Sequence, residues 1–259
     1  MRRRRPVLAA AAALALAAAT GASAAPKKPA LEVFFLIDAT GDMVQARDAV
    51  RTAVDGIQAR LAQRTTLRHG FGVFRDVTPN SLWLTDLYQR LSPVRANGGA
   101  LPRDIAYQGG GDVPEAHTFA LDAVIGVRHE PWTTEWSAAP AEFSGTLPKL
   151  VVLVTSAPAK QGMTYPALNE TISRLRAAGV GVASLVVKTE QGDERGAREH
   201  LGSIAAGTAA VARSAFDCDG DRRVDVARGG PLVCPMPADP RVRQSFTGFA
   251  DALVARYGR

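Results

Sequence analysis

The sequence predicts an α/β fold of the doubly wound kind, a mostly parallel central sheet flanked by helices. Three observations carry that expectation. "LEVFFLID" at 31–38 and "LVVLVTS" at 150–156 are continuous apolar runs, as strands buried on both faces require. Stretches with apolar residues at helical spacing follow such runs. Strand and helix patterns then alternate to the end of the chain, and no internal repeat breaks the alternation.

The first residues read as an address rather than structure. Arg2 to Arg5 precede a short apolar stretch from Val7 to Ala19, and Ala22-Ser23-Ala24 offers the small-residue pattern of a cleavage site. Residues 1–24 are therefore expected to be a removed export signal, and the product to be periplasmic or secreted. The apolar stretch is shorter than the ~20 residues that a membrane-spanning helix needs. No later segment reaches that length without a charge, so the mature chain is expected to have no transmembrane segment. Removing Arg2 to Arg5 from a formal charge of +6 leaves +2. That small excess takes away the main support for a nucleic-acid partner.

After a leader at 25–30, one domain is expected over 31–258. The first strand, 31–38, leads into a helix from Met43 to Gln63, with Val44, Ala46, Val50, Val54, Ile57 and Leu61 on its apolar side. "TTLRHGFGVFRDV" alternates as a strand does, while "SLWLTDLYQRL" fits a strand or a helix. "GGGDVPEAHTFALDAVIGVRH" opens as a glycine loop, has Pro114 near a helix start, and keeps helical periodicity through Val127. A helix over 164–178 ends at Gly179, and the strand "VGVASLVV" and a helix over 197–207 follow. An amphipathic helix over 239–258 closes the chain. Two stretches stand outside the scheme. Residues 131–148 read as a loop whose Trp132 and Trp136 pack it onto the domain, and residues 217–239 read as an insertion. Cys218 and Cys234 are the chain's two cysteines, and in an exported protein such a pair implies a disulfide.

Sites in open α/β sheets form beyond the carboxyl ends of the strands. Three loops leave such ends: "DATGD", "GGGDVPEA" and "TSAP". Asp38, Thr40 and Asp42 alternate along the first, so their oxygens can converge, and Glu115 can complete a shell. Oxygen donors without His or Cys suit Mg²⁺, Mn²⁺ or Ca²⁺. The bland alternative makes Asp42, and Asp112 before Pro114, helix caps.

"FFLIDATGDM", "GFGVFRD", "GGGDVPEA" and "LVVLVTSAP" resemble, in order, the signature segments of von Willebrand factor type A domains. The resemblance covers about Leu31 to Gly258. It implies a Rossmann-like sheet and a metal-ion-dependent adhesion site that mediates interaction with a protein partner, without enzymatic activity. On that pattern Asp38 and Thr40 fall on the first two ligands of the first loop, and Asp42 stands where Ser is usual. Glu115 matches the second-loop acid, Asp112 a residue serving a neighbouring cation in integrin-like relatives. Ser156 stands where the last loop usually has Asp. One carboxylate is thus lost and one gained. A degenerate domain that binds partners without metal is an alternative.

A second alternative is a haloacid dehalogenase-like, Mg²⁺-dependent phosphotransferase. "DATGD" resembles its opening motif, with Asp38 as nucleophile. Lys188 and "GDE" at 192–194 are its remaining candidates, and "GGGDVPEA" has no place in it. No nucleophile elbow surrounds Ser156. His69, His117, His129 and His200 lack ligand spacing and read as surface or partly buried residues. "DCDGDRRVD" spaces Asp217, Asp219, Asp221 and Asp225 like a calcium loop, but Arg222 and Arg228 occupy positions that an EF-hand gives to Gly and Glu. A solvated, disulfide-held hairpin is the better reading of that stretch.

Overall fold

The computed structural model describes residues 27–76, 85–93, 101, 103–108, 115–129, 141–162, 165–239 and 246–258. Residues 1–26, on which the expected export signal falls, residues 109–114 with Asp112, and Trp132 and Trp136 lie outside them.

Strand β1 (Ala30–Asp38) is buried along its length after Ala30, as its unbroken apolar run demands. It pairs in parallel with β2 (Thr66–Phe74) on one side and β4 (Lys149–Thr155) on the other. Strand β3 (Thr85–Pro93) resolves the ambiguous stretch as a strand, antiparallel to β2. Strand β5 (Val180–Lys188) and strand β6 (Val233–Pro237) extend the other side in parallel. The resulting order is β3-β2-β1-β4-β5-β6. The chain builds outward from β1, returns to β4 and builds outward again. The switch point therefore lies between β1 and β4, and a crevice is expected there beyond the strand ends.

Among the described residues five α-helices flank the sheet: α1 (Arg47–Arg64), α2 (His117–Val124), α3 (Leu168–Ala177), α4 (Glu194–Gly207) and α5 (Thr247–Tyr257). Helices α1 and α5 pack together, with the Arg60 guanidinium forked onto Asp251 at 2.9 and 2.8 Å. Helices α2, α3 and α4 form a second group. Arg174 of α3 donates to the buried Asp122 of α2 at 3.0 and 2.6 Å, and His129 Nε2 lies 2.6 Å from the same carboxylate. Asp122 is thus a paired charge, the form in which a buried carboxylate is tolerated. Among the described residues no helix is long and apolar enough to cross a membrane.

Several boundaries depart from the periodicity. The expected helix from Met43 begins instead as a 3-10 turn, Gly41–Ala46, before α1 starts at Arg47. Helix α2 stops at Val124, because Gly126 turns left-handed (φ 82°) and the chain leaves the helical path. Of the expected closing helix over 239–258, Thr247–Tyr257 form α5, and residues 240–245 lie outside the described residues. The stretch 217–239 is not wholly outside the sheet, since it supplies β6. Pro235 and Pro237 conceal that strand, because proline cannot donate to a ladder and is tolerated at an edge. The Cys218–Cys234 disulfide is present and ties the acidic loop to this edge strand.

Candidate functional site

Parallel pairing brings the carboxyl ends of β2, β1, β4 and β5 to one rim. Asp38 ends β1, Asp76 lies just past β2, Thr155 ends β4 with Ser156 after it, and Thr189 follows β5.

Asp38 is fully buried. The Thr40 backbone N–H and hydroxyl donate to its Oδ1 at 3.0 and 2.6 Å, and the Thr155 hydroxyl donates to Oδ2 at 2.7 Å. The Thr40 oxygen also lies 2.7 Å from Asp42 Oδ1. A hydroxyl carries one proton. It can satisfy one of these carboxylates, and the other contact needs a second proton or a cation. The Ser156 hydroxyl donates to Asp42 Oδ2, and Thr189 Oγ1 lies 3.4 Å from that oxygen. These contacts decide against capping: neither the 3-10 turn nor α1 has a side-chain cap, and Asp42 spends its oxygens across the loops.

Glu115 reaches the rim through a short parallel bridge to Ala159. Its N–H donates to Pro158 O at 2.8 Å and its carbonyl accepts from Lys160 N–H at 2.7 Å. The side chain is 1% exposed, and Oε2 is buried without a hydrogen-bond partner. Burial pushes its carboxyl up to about 10, with the charges of Asp38, Asp76 and Asp42 adding and Lys160 opposing. Burial likewise pushes Asp38 up to about 7, against the hydrogen bonds from Thr40 and Thr155. Loss of hydration on burial is the first cause of both shifts.

Carboxylates and hydroxyls without nitrogen or sulfur suit a hard divalent ion. The orphaned Glu115 oxygen and the doubly claimed Thr40 hydroxyl fit such an ion as well. Among the described residues, only Asp217, Asp219 and Asp225 bring three carboxylate oxygens within 4.8 Å of one another. At the rim, hydroxyls occupy the space between the acids.

Four residues at this end of the sheet escape sequence reasoning. Asp76 closes the "FRD" segment, and its position after a strand was the available signal. Lys160 pairs with it. Thr189 and Gly192 form a fourth loop against the site. A Cβ at Gly192 would lie 2.7 Å from Ser156 O and 2.7 Å from Thr189 Oγ1, so only glycine allows that approach. His117 and His69 are buried rather than superficial, and both ring nitrogens of His117 lack hydrogen-bond partners. Burial lowers the His117 pKa to about 3, which keeps the ring neutral. Helix α2 is buried on every side, and no periodicity announces that.

Lys188 and Asp193, which a phosphotransferase would need, are placed elsewhere. Lys188 is exposed, and Asp193 caps α4 by accepting from Gly196 N–H at 2.9 Å.

The loop at 217–225 is built differently. Asp217 Oδ1 accepts from the N–H groups of Asp219 and Gly220 at 3.0 and 2.7 Å, and its Oδ2 accepts from Arg222 N–H at 2.5 Å. Asp225 Oδ2 accepts from Cys218 N–H at 2.8 Å. The acids cluster, but backbone amides already serve them.

No family model and no curated protein matches the chain. Among solved structures, the SpRpn10 VWA domain is similar in fold, with a TM-score of 0.46 and 10% identity over 86% of this chain and 94% of that one.

Proposed function

We propose that the chain is an exported, non-enzymatic protein-interaction module of the von Willebrand A type that holds one Mg²⁺, Mn²⁺ or Ca²⁺ at the strand-end rim. Asp38, Thr40, Asp42, Ser156 and Glu115 supply the oxygens. The observation that carries this reading is the charge imbalance at the switch point. Two carboxylates claim one Thr40 hydroxyl at 2.6 and 2.7 Å, and the carboxyl of Glu115, on a loop bridged to the one after β4, has a buried Oε2 without a hydrogen-bond partner. A divalent ion resolves both deficits.

The two departures from the family pattern support the same reading. Asp42 and Ser156 are hydrogen-bonded to each other. Carboxylate and hydroxyl have changed places across one gap, so the donor set survives the exchange. The added acid leaves the ion with less uncompensated charge, which favours retention of the ion over strong attraction of an anionic partner. The disulfide supports an oxidising compartment for the mature chain.

Calorimetric titration of the mature chain with each of the three ions tests the proposal. Heat is expected with at least one, together with a rise in melting temperature by mass action. Asp38→Ala is expected to abolish both. Absence of heat with all three ions overturns the reading, and Asp38-dependent hydrolysis of an aryl phosphate in Mg²⁺ replaces it with the phosphotransferase.

A further inference from the structure

We propose that the loop after β5 is a fourth arm of this site, in which Thr189 is a positioning residue: its hydroxyl holds one oxygen of Asp42, so that the other is the one offered to the cation. The inference rests on the cation reading above and deepens it, because Thr189 belongs to none of the three loops that supply the donor set.

The two oxygens of Asp42 have different surroundings. Oδ2 accepts from the Ser156 hydroxyl and, at 3.4 Å, from the Thr189 hydroxyl. Oδ1 lies 2.7 Å from the Thr40 oxygen, which is itself 2.6 Å from Asp38 Oδ1. One side of the carboxylate is thus held by two hydroxyl donors, and the other shares the Thr40 oxygen with Asp38. A hydroxyl has one proton to give and lone pairs with which to accept. Thr189 uses both capacities. Gly192 N–H donates to its oxygen at 2.9 Å, and its own proton goes to Asp42. A backbone amide therefore fixes the hydroxyl, and the hydroxyl fixes the carboxylate.

A close approach seats the arm. A Cβ at Gly192 would lie 2.7 Å from Ser156 O, 2.9 Å from Ser156 Cβ and 2.7 Å from Thr189 Oγ1. The loop after β5 is thereby pressed onto the loop after β4, on the side where Asp42 Oδ2 takes its two donors. At its far end Asp193 caps α4 through Gly196 N–H at 2.9 Å, so the arm is anchored in a helix as well as in a strand. A carboxylate oriented in advance does not lose rotamer freedom when it takes an ion, and affinity rises by that saving. The 3.4 Å contact is long, so its share is modest.

Equilibrium dialysis against Mn²⁺ compares the affinity of the mature chain with that of two variants. Thr189→Val keeps the side chain's shape and removes its hydroxyl, and is expected to weaken Mn²⁺ binding about fivefold. Thr189→Ser keeps the hydroxyl and removes the methyl, and is expected to match the parent. In an Asp42→Ser background the loss caused by Thr189→Val is expected to vanish, because the oxygen that Thr189 positions is gone. Unchanged affinity in Thr189→Val overturns the proposal. So does an equal loss in Thr189→Ser, which would mark packing of the methyl, or a loss that persists in Asp42→Ser, which would mark a role in the loop alone. Where Asp42→Ser holds no Mn²⁺, the ranking of the two Thr189 variants decides. Failure of the underlying reading looks different: the parent itself then holds no Mn²⁺.

Discussion

At the rim Asp38 is fully buried and its carboxyl is pushed up to about 7, whereas Asp217 in the disulfide-clipped loop is held below the usual carboxylate range by the Gly220 backbone amide. Both regions cluster aspartates with alternating spacing, and both invite a metal reading from sequence. They differ in where the donors come from. The loop folds its own amides onto Asp217, Asp219 and Asp225, so its negative charge is met within nine residues of chain. Asp219 is raised by burial, yet it too serves as an acceptor, for Asp221 N–H at 3.0 Å. The rim draws hydroxyls from separate strands and leaves Glu115 Oε2 with nothing. Acid spacing alone therefore does not define a cation site.

The largest effect expected to sharpen this contrast is pH-dependent. Unfolded Asp38 loses its proton near 3.8 and folded Asp38 near 7, so across that window the native state keeps a proton that the unfolded state has released. Stability of the ion-free protein should therefore fall as pH rises from about 4 to above 7. At about 1.4 kcal/mol per pH unit the loss is on the order of 4 kcal/mol. Asp38→Asn cannot ionise and should make the slope shallower, leaving the part that Glu115, pushed up to about 10, contributes over the same range. Thermal melts in chelator across that range check it, and parallel slopes for the two proteins would erase the contrast.

Next in size is the clip itself. Cys218→Ser with Cys234→Ser should cost about 3 kcal/mol through the freed unfolded chain. Calorimetry should record a melting temperature lower by roughly 6–12 °C for a domain of this size. The cation response of the rim should survive, because no rim residue contacts the clipped loop among the described interactions. Loss of that response would show that the two regions are one system.

The smallest effect concerns the loop's acids. Asp219→Asn keeps an oxygen to accept from Asp221 N–H and should change stability by no more than about 1 kcal/mol. Ca²⁺ should stabilise parent and variant equally. A Ca²⁺-dependent difference between them would restore the calcium reading of "DCDGDRRVD".

Much of the fold was legible from local pattern. The apolar runs of β1, β4 and β5 read as buried strands, and Gly179 (φ 68°) marks the end of α3 where expected. What was not legible had competing local chemistry. Prolines disguised β6, and a glycine shortened α2. At the site, Asp38, Thr40, Asp42, Ser156 and Glu115 could be named because each follows or precedes a recognisable element. Thr189, Gly192 and Lys160 could not, since nothing in their neighbours indicates what lies across the sheet, and Asp76 offered only its position after a strand. Asp112 lies outside the described residues.

By itself the sequence determined a parallel α/β sheet and the kind of atoms gathered at its strand ends, because periodicity and side-chain chemistry are properties of short stretches. Tertiary structure alone decided which acids are compensated. Ser156 meets Asp42 across 114 positions, and Lys160 meets Asp76 across 84. Charge balance in a buried site is set by distance and desolvation, and neither exists until the chain has folded.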